Sequence, residues 1–158
     1  MSAVLRPLRD DELDDYVARG KVNYANDMVE DAGMSREAAT AKSERDWANL
    51  LPDRLDSKDQ HLYAIEDSET GERVGDLWFA RREADADGLV AFVYSIEVFD
   101  RFRGKGYGKE AMLLLEDEVR RHGLSKIALN VFGGNEVARS LYRAVGYRET
   151  AVWMSKEL

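Results

Sequence analysis

VFDRFRGKGYG, residues 98–108, is the stretch that decides the fold of this chain. It follows residues 89–98, a run rich in Val, Phe, Tyr and Ile that predicts a central strand. It leads into a segment whose apolar residues recur with helical spacing until Gly123 closes it. The stretch therefore predicts a tight, glycine-rich turn from a buried strand into a helix.

The charges of this turn run against the usual preference of a helix start. Four cations and no acid stand between positions 101 and 109: Arg101, Arg103, Lys105 and Lys109. The helix macrodipole already places positive charge there, so these cations cost stability. A bound anion removes the conflict, because the backbone N–H groups, the dipole and the cations then all act on it. Gly104, Gly106 and Gly108 favour this interpretation, since glycine lets the main chain approach a phosphate closely.

A plainer interpretation of the same stretch is a structural turn with solvated cations. The stretch is also distinct from two common phosphate loops. It lacks the Gly-Lys-Ser/Thr ending of nucleoside triphosphatases, and no acidic ribose-binding residue follows the next strand recognisably. The inverted charge preference is what favours an anion site over a turn alone.

The residues before this stretch predict helices first and strands afterwards. Residues 4–8 predict an edge strand, because Pro7 disfavours a central position. Residues 10–31 predict one helix, or two broken near Gly20. Ser35 is the expected N-cap of a further helix that Pro52 ends. The predicted hairpin and the turn that follows it occupy residues 61–65, 74–81 and 85–88.

The residues after this stretch predict a strand at 126–132, a helix at 135–145 and a last strand at 149–156. This order of elements makes the chain an α/β or α+β protein. The chain has 158 residues and neither repeats nor linker-like segments, so one domain spanning residues 1–158 is expected.

Two motifs resemble the GCN5-related N-acetyltransferases, the GNAT family. Residues 98–108 resemble its central strand and Arg-x-x-Gly-x-Gly pyrophosphate loop, with Asp100 where proline is usual. NEVARSLYRAVGY, residues 135–147, is similar to its Asn-x-x-Ala-x-x-Leu-Tyr-x-x-x-Gly-Phe/Tyr helix. The motifs occur in the family's order, and the resemblance covers the chain from about Leu89 to its C-terminus.

The resemblance implies a mixed, mostly antiparallel sheet with helices on both faces. The sheet would splay between its fourth and fifth strands and admit the pantetheine arm of acetyl-CoA. Backbone groups near Glu97 and Val98 would pair with the pantetheine amides, and the amides of residues 103–108 would hold the pyrophosphate. The cofactor contacts implied in this way are Val98, Arg103, Gly104, Lys105, Gly106, Tyr107, Gly108, Lys109 and Asn135.

The implied reaction is direct attack of a primary amine, on a small molecule or a protein, on the acetyl group, with no metal. Alkyl ammonium groups have a pKa near about 10.4 and thiols near about 8.5, so deprotonation of the amine is the larger demand. The resemblance points Tyr142 at the cofactor sulfur as the catalytic acid, with core packing as the other interpretation. Glu97 is the candidate base, because Asn130 stands where some family members have a carboxylate. A solvent-facing Glu97 and a water chain through Ser95 stay open.

The amino-acid composition restricts the kinds of binding partner and the compartment that are expected. The net charge of −8 argues against nucleic acid and weakly favours a cationic acceptor amine. With no cysteine there is no thiol chemistry, and no signal peptide or membrane-length apolar run is seen, so a cytoplasmic protein is expected. A homodimer through sheet pairing is compatible with the sequence.

Two other functions remain open from the sequence. One is a CoA-sensing module of the same fold without turnover, which the missing carboxylate at Asn130 keeps in view. The other is a protein-interaction domain in which the glycine loop is only structural. The protein-interaction domain would not bind CoA, whereas the enzyme and the sensing module would. Release of free thiol from acetyl-CoA in the presence of amines identifies the enzyme.

Overall fold

A central five-stranded sheet lies between two helical layers in the computed structural model, which describes residues 2–158. The strands are β1 (Ala3–Pro7), β2 (Gln60–Asp67), β3 (Arg73–Glu83), β4 (Leu89–Val98) and β5 (Ile127–Leu129). The helices are α1 (Asp10–Glu30), α2 (Arg36–Leu50), α3 (Tyr107–Arg121) and α4 (Glu136–Ala144). The strands follow one another in sequence order, and β4–β5 is the parallel pair. The expected mixed, mostly antiparallel sheet is confirmed.

The sheet is apolar on both faces, because successive strand residues point to opposite sides. Leu62 and Ala64 face α1 and α2, and on that side they pack in one cluster with Trp47 of α2 and Trp78 of β3. Tyr63 and Ile65 face the other way. The core on that second face also contains the buried side of α3: Tyr107, Ala111, Met112, Leu115 and Val119. Helices therefore cover both faces, as expected.

The two N-terminal helices pack closely because one of their contacts has no side chain. α1 is a single helix, and Gly20 lies inside it without a break. A Cβ atom at Gly20 would stand 2.2 Å from the Trp47 ring, so only glycine admits this approach of α1 and α2. Ser35 caps α2 as expected, since its hydroxyl accepts from the Ala38 amide at 3.1 Å.

Two strand predictions need correction. β5 covers Ile127–Leu129 and is shorter than the 126–132 expected. The strand predicted at 149–156 is wrong, because these residues form neither strand nor helix and all of them are exposed. Alternating side chains favour a strand only where a neighbouring strand completes the hydrogen bonds. No neighbour lies beside this segment in the part of the chain that the structure describes.

Candidate functional site

The sheet opens beside the second half of β4. β5 pairs with β4 at three positions, and the last is Val93↔Leu129. On its other side β4 stays paired with β3 as far as Gly75↔Val98. From residue 94 to residue 98 the β4 backbone therefore has one edge without a strand partner, within residues 2–158. The splay between the fourth and fifth strands is confirmed, and it leaves peptide groups open to a ligand.

The loop after β4 turns on two glycines in left-handed backbone conformations. Gly104 has φ 74° and Gly106 has φ 90°, values that side-chain-bearing residues rarely adopt. Gly108 is needed for a different reason. A Cβ there would lie 3.3 Å from Leu141 Cδ2 and 3.7 Å from Val98 Cγ2. The start of α3 is consequently held against both β4 and α4.

The start of α3 has no side-chain cap, although Gly106 occupies the cap position. The helices on either side of it in the chain differ, since Ser35 caps α2 and Asn135 caps α4 by accepting from Ala138 N at 3.2 Å. The first N–H groups of a helix have no intrahelical partner and need one elsewhere. At α3 no capping side chain supplies one, and Lys105 and Lys109 are exposed next to these groups, which is an arrangement that favours an anion.

The four cations of the loop divide into two kinds. Arg101 pairs with Glu72 at 2.5 Å. Arg103 pairs with Asp100 at 2.8 Å and donates from Nε to the Val98 carbonyl at 2.9 Å. The remaining two, Lys105 and Lys109, are exposed and form no ion pair within residues 2–158. The unneutralised charge of the loop therefore comes from its lysines.

Besides Arg103, two more of the predicted cofactor residues use their side chains elsewhere. The Tyr107 ring is buried, and its hydroxyl donates to Asp67 Oδ2 at 2.5 Å. This hydrogen bond raises the pKa of Tyr107 to about 12, so the side chain stays neutral and inside. The Asn135 carboxamide oxygen caps α4. Tyr107 can thus offer a ligand its backbone amide, and Asn135 only its remaining amide protons.

Tyr142 lies on the buried side of α4. It packs against the core and against Tyr147, with ring centroids 5.8 Å apart. Burial raises the pKa of Tyr142, which keeps its hydroxyl protonated at neutral pH. Within the described residues no hydrogen bond is formed by this hydroxyl. The contact of Leu141 with Gly108 brings this part of α4 beside the start of α3.

Glu97 is not a free carboxylate. It forms an ion pair with Arg19 of α1, and Arg19 Nη2 also contacts Asp76 Oδ2 at 2.9 Å. Asp76 lies opposite Glu97 in the β3–β4 pair and is fully buried. Burial raises the pKa of Asp76, while Arg19 and Arg73 oppose that rise. The structure therefore links the open edge of β4 to α1 through a shared arginine.

Sequence reasoning missed Arg19, Asp76 and Arg73. Asp76 had a visible signal, because it is the one acid within the apolar segment VGDLWFA, residues 74–80. Arg19 carried no such signal, since nothing local distinguishes it from other charged residues of α1. Arg73 Nε donates to Asp76 Oδ1 at 2.8 Å and completes the group around this carboxylate.

Residues 2–158 contain neither a metal cluster nor a membrane-spanning helix. No group of three or more His, Asp or Glu side chains is arranged to hold a metal ion there. Among the helices of those residues, none has the length and apolarity needed to cross a bilayer.

Comparison with known proteins gives a consistent result. Residues 24–147 match the model of the acetyltransferase (GNAT) family. The chain is 34% identical over 158 residues to the uncharacterized N-acetyltransferase YycN of Bacillus subtilis (strain 168), covering all of both proteins. It is 32% identical over 162 residues to the uncharacterized N-acetyltransferase YdgE of the same strain, covering 100% of this chain and 99% of YdgE.

The fold agrees with solved structures. The crystal structure of the YycN protein superimposes with a TM-score of 0.91 at 33% identity, over 99% of each chain. An acetyl transferase structure from Pyrococcus furiosus superimposes with a TM-score of 0.75 at 20% identity, over 99% of this chain and 100% of that one. At that identity the second likeness concerns the fold alone.

Proposed function

The chain belongs to the GNAT acetyltransferase family and is an N-acetyltransferase, and from this we propose that it moves an acetyl group from acetyl-CoA to a primary amine by direct attack. The observation that carries the proposal is the uncapped start of α3, which lies beside the unpaired edge of β4. The first can hold a diphosphate and the second an amide-bearing arm, and the family uses acetyl-CoA.

The diphosphate is assigned to the turn between residues 100–102 and α3. Gly104 and Gly106 expose the main chain, and a Cβ at either would meet open space, so this surface is accessible. Lys105 and Lys109 supply charge that no carboxylate neutralises within residues 2–158. Arg103 is assigned a supporting role, since its side chain ties the loop back to Val98 and Asp100.

The pantetheine arm is assigned to the free edge of β4 next to Glu97 and Val98. Its amides would extend the sheet where β5 has diverged. The Val98 carbonyl already accepts from Arg103, and a carbonyl oxygen has a second lone pair for a ligand. Fixing the thioester and the amine in one site contributes on the order of 7–11 kcal/mol to lowering the barrier.

Tyr142 is proposed as the acid that protonates the departing thiolate. Its hydroxyl has no hydrogen-bond partner in residues 2–158, so its proton is not held by another group of the chain. Glu97 is proposed as the group that receives the proton of the amine, directly or through water. Its ion pair with Arg19 must open for this role, since the guanidinium occupies the carboxylate.

A CoA-binding protein without turnover is the second candidate. It is favoured by the ion pair that holds Glu97 and by Asn130 in place of a carboxylate. Both candidates predict that CoA raises the melting temperature of the purified chain. A thiol-reactive dye then separates them, because only the enzyme releases free CoA from acetyl-CoA when a panel of primary amines and polyamines is added. The absence of any melting shift with CoA would refute both.

The acid role is tested by Tyr142→Phe with Tyr147→Phe as its matched control. Tyr147 is the neighbouring ring, and its buried hydroxyl has no hydrogen-bond partner within the described residues. Tyr142→Phe is expected to lower turnover by about 10²-fold or more with little change in CoA affinity. Tyr147→Phe is expected to leave both nearly unchanged. Equal turnover in the two variants across the pH range would return Tyr142 to a packing role.

A further inference from the structure

The ion pair between Arg19 and Glu97 lies where solvent and a substrate can reach it. The side chain of Arg19 is 28% exposed and that of Glu97 is 23% exposed. Within residues 2–158, Arg19 is the one cation paired with Glu97, and it contacts the Oε2 atom of the carboxylate. The carboxylate beside the proposed thioester position is therefore neutralised by a group that a ligand can displace.

The three nitrogens of the Arg19 guanidinium contact three different carboxylates. Nη1 contacts Glu97, Nη2 contacts Asp76 Oδ2 at 2.9 Å, and Nε contacts Asp15 Oδ2 at 3.0 Å. Asp76 also accepts from Arg73 Nε at 2.8 Å. When the contact with Glu97 opens, Arg19 keeps two acids and Asp76 keeps two cations. Opening the pair consequently releases one carboxylate, that of Glu97, and leaves the buried charge of Asp76 matched.

Opening this pair needs a replacement charge. A carboxylate that is partly removed from water and left without a cation is unfavourable. A protonated amine supplies the missing charge, because its ammonium can take the position of the guanidinium on Glu97. A water molecule carries no charge and cannot compensate for the lost pair. The pair can therefore distinguish an acceptor amine from water.

We propose that Arg19 masks Glu97 as a base until an acceptor ammonium displaces it, and that this masking protects bound acetyl-CoA from hydrolysis. Arg19 is thus a positioning residue that acts through Glu97. The inference rests on the proposed acetyl transfer with Glu97 as its base. It assigns to the ion pair the choice between amine and water as the nucleophile.

Hydrolysis is the side reaction that an unmasked Glu97 promotes. The water oxygen attacks the thioester carbonyl while Glu97 takes one of its protons. The C–S bond breaks, and the departing thiolate takes a proton from Tyr142. The proton on Glu97 then passes through water to Tyr142, which restores both groups, and the acetic acid formed loses its own proton to solvent. The products are acetate and free CoA.

The first experiment measures the release of thiol from acetyl-CoA when no amine is present. Arg19→Gln is expected to raise this hydrolysis about tenfold over the wild type, since a partly exposed ion pair is partly screened. Arg73→Gln is the matched control. Both guanidiniums contact Asp76, and their Cζ atoms lie 4.8 Å (Arg19) and 5.5 Å (Arg73) from the centroid of the Phe99 ring. Only Arg19 reaches Glu97, so Arg73→Gln should hydrolyse acetyl-CoA like the wild type.

The increase in hydrolysis should depend on the unmasked carboxylate. The double variant Arg19→Gln/Glu97→Gln is therefore expected to lose most of the increase. Melting temperatures establish that each variant is folded. Wild-type hydrolysis in a folded Arg19→Gln, or an equal increase in Arg73→Gln, would overturn the inference.

The second experiment measures the kinetics of an amine that the wild type acetylates. In Arg19→Gln the KM for the amine is expected to fall several fold, because no guanidinium has to be displaced. The kcat at saturating amine should change by less than about threefold, since binding of the amine has already opened the pair in the wild type. A purely structural role for Arg19 predicts the opposite, a higher KM or a lower kcat.

A crystal structure of the wild-type chain with CoA and the same amine tests the exchange without any substitution. The amine nitrogen is expected within hydrogen-bond distance of Glu97, with Arg19 on Asp76 and Asp15 alone. An amine bound elsewhere, with Arg19 still on Glu97, contradicts the masking but leaves the acetyl transfer standing. A wild-type chain that releases no thiol with any amine refutes the proposed function itself, and the inference falls with it.

Discussion

The starts of α1 and α3 show opposite solutions to the same problem. α1 begins with Asp10, Asp11 and Glu12, and Glu12 Oε1 accepts from the Arg9 amide at 2.9 Å. α3 begins after Gly106, with lysines on either side and no capping side chain. At the first start the chain itself supplies a carboxylate, which accepts from the Arg9 amide just before the helix. The second start has no such side chain.

This difference shows how a ligand site can be distinguished from a structural terminus. At α1 the Glu12 carboxylate is buried and also accepts from Arg6 Nη1 at 2.9 Å, so this charge has a partner. At α3 the dipole, the free amides and two unpaired lysines all favour an anion that the chain does not supply. The first arrangement stabilises the fold, and the second is completed only by a bound partner.

The largest effect is expected from blocking the uncapped start of α3. Gly106→Glu is expected to reduce CoA affinity by at least about a hundredfold, because it brings bulk and negative charge to the proposed diphosphate position. Calorimetric titration measures this. Gly88→Glu is the control, since Gly88 also has positive φ and open space around its Cβ position, but it lies in the turn before β4. Both variants bear backbone strain of about 1–3 kcal/mol, and only the first should lose the ligand. Retained affinity in Gly106→Glu would remove the loop assignment.

The next largest effect is expected from removing the charge of Glu12 at the start of α1. Glu12→Gln keeps an oxygen for the Arg9 amide but loses the carboxylate, and the free energy of unfolding at neutral pH should fall by about 2 kcal/mol. The hydrogen bond from Arg6 lowers the pKa of Glu12 to about 2. The stabilisation is complete above the ordinary glutamate pKa and is lost as pH falls towards that lowered value.

Urea unfolding between pH 7 and pH 2.5 checks this pH dependence. The difference between wild type and Glu12→Gln should shrink steadily below about pH 4.3. Glu37→Gln, at the exposed first turn of α2, should cost less than about 0.5 kcal/mol. A difference that is constant with pH would show that the carboxylate of Glu12 does not act through its charge.

A smaller effect is expected from neutralising the two lysines at the start of α3. Lys105→Gln with Lys109→Gln should weaken CoA binding by about tenfold and flatten its dependence on salt, because exposed charges are partly screened. Lys58→Gln with Lys156→Gln changes the net charge equally from exposed positions outside the loop. Equal weakening by both pairs would mean that only the overall charge of the protein matters.

The smallest effect tests whether the capped start of α4 is purely structural. Asn135→Ala and Ser35→Ala each remove one cap and should each lower the free energy of unfolding by about 1 kcal/mol. CoA affinity should change by less than about threefold in either. A loss of affinity confined to Asn135→Ala would show that its side chain also contacts the cofactor.

Local patterns predicted most of the fold correctly. The turn of residues 98–108, the cap at Ser35 and the unbroken run of β4 each depend on residues within about ten positions of one another. Glycine conformation, capping and strand propensity act at that range, so they can be read along the chain. The lysines and glycines of the loop were identified in the same way.

Contacts between distant residues could not be read. Arg19 reaches Glu97 across 78 positions, and the resulting ion pair changes what Glu97 can do. The strand predicted at residues 149–156 has the correct alternation but no neighbour to pair with in its own chain. Local reasoning also overestimated the charge of the loop, since Arg101 and Arg103 find acids there.

The sequence by itself determined the strand-to-helix turn and its excess of open amides and cations, because both follow from conformational preferences and charges of adjacent residues. Tertiary structure alone decided which carboxylates are paired, which face of α4 holds Tyr142 and whether residues 149–156 have a strand beside them. Those outcomes depend on which distant segments pack together. The free energy of such tertiary contacts depends on both segments and cannot be derived from either one alone.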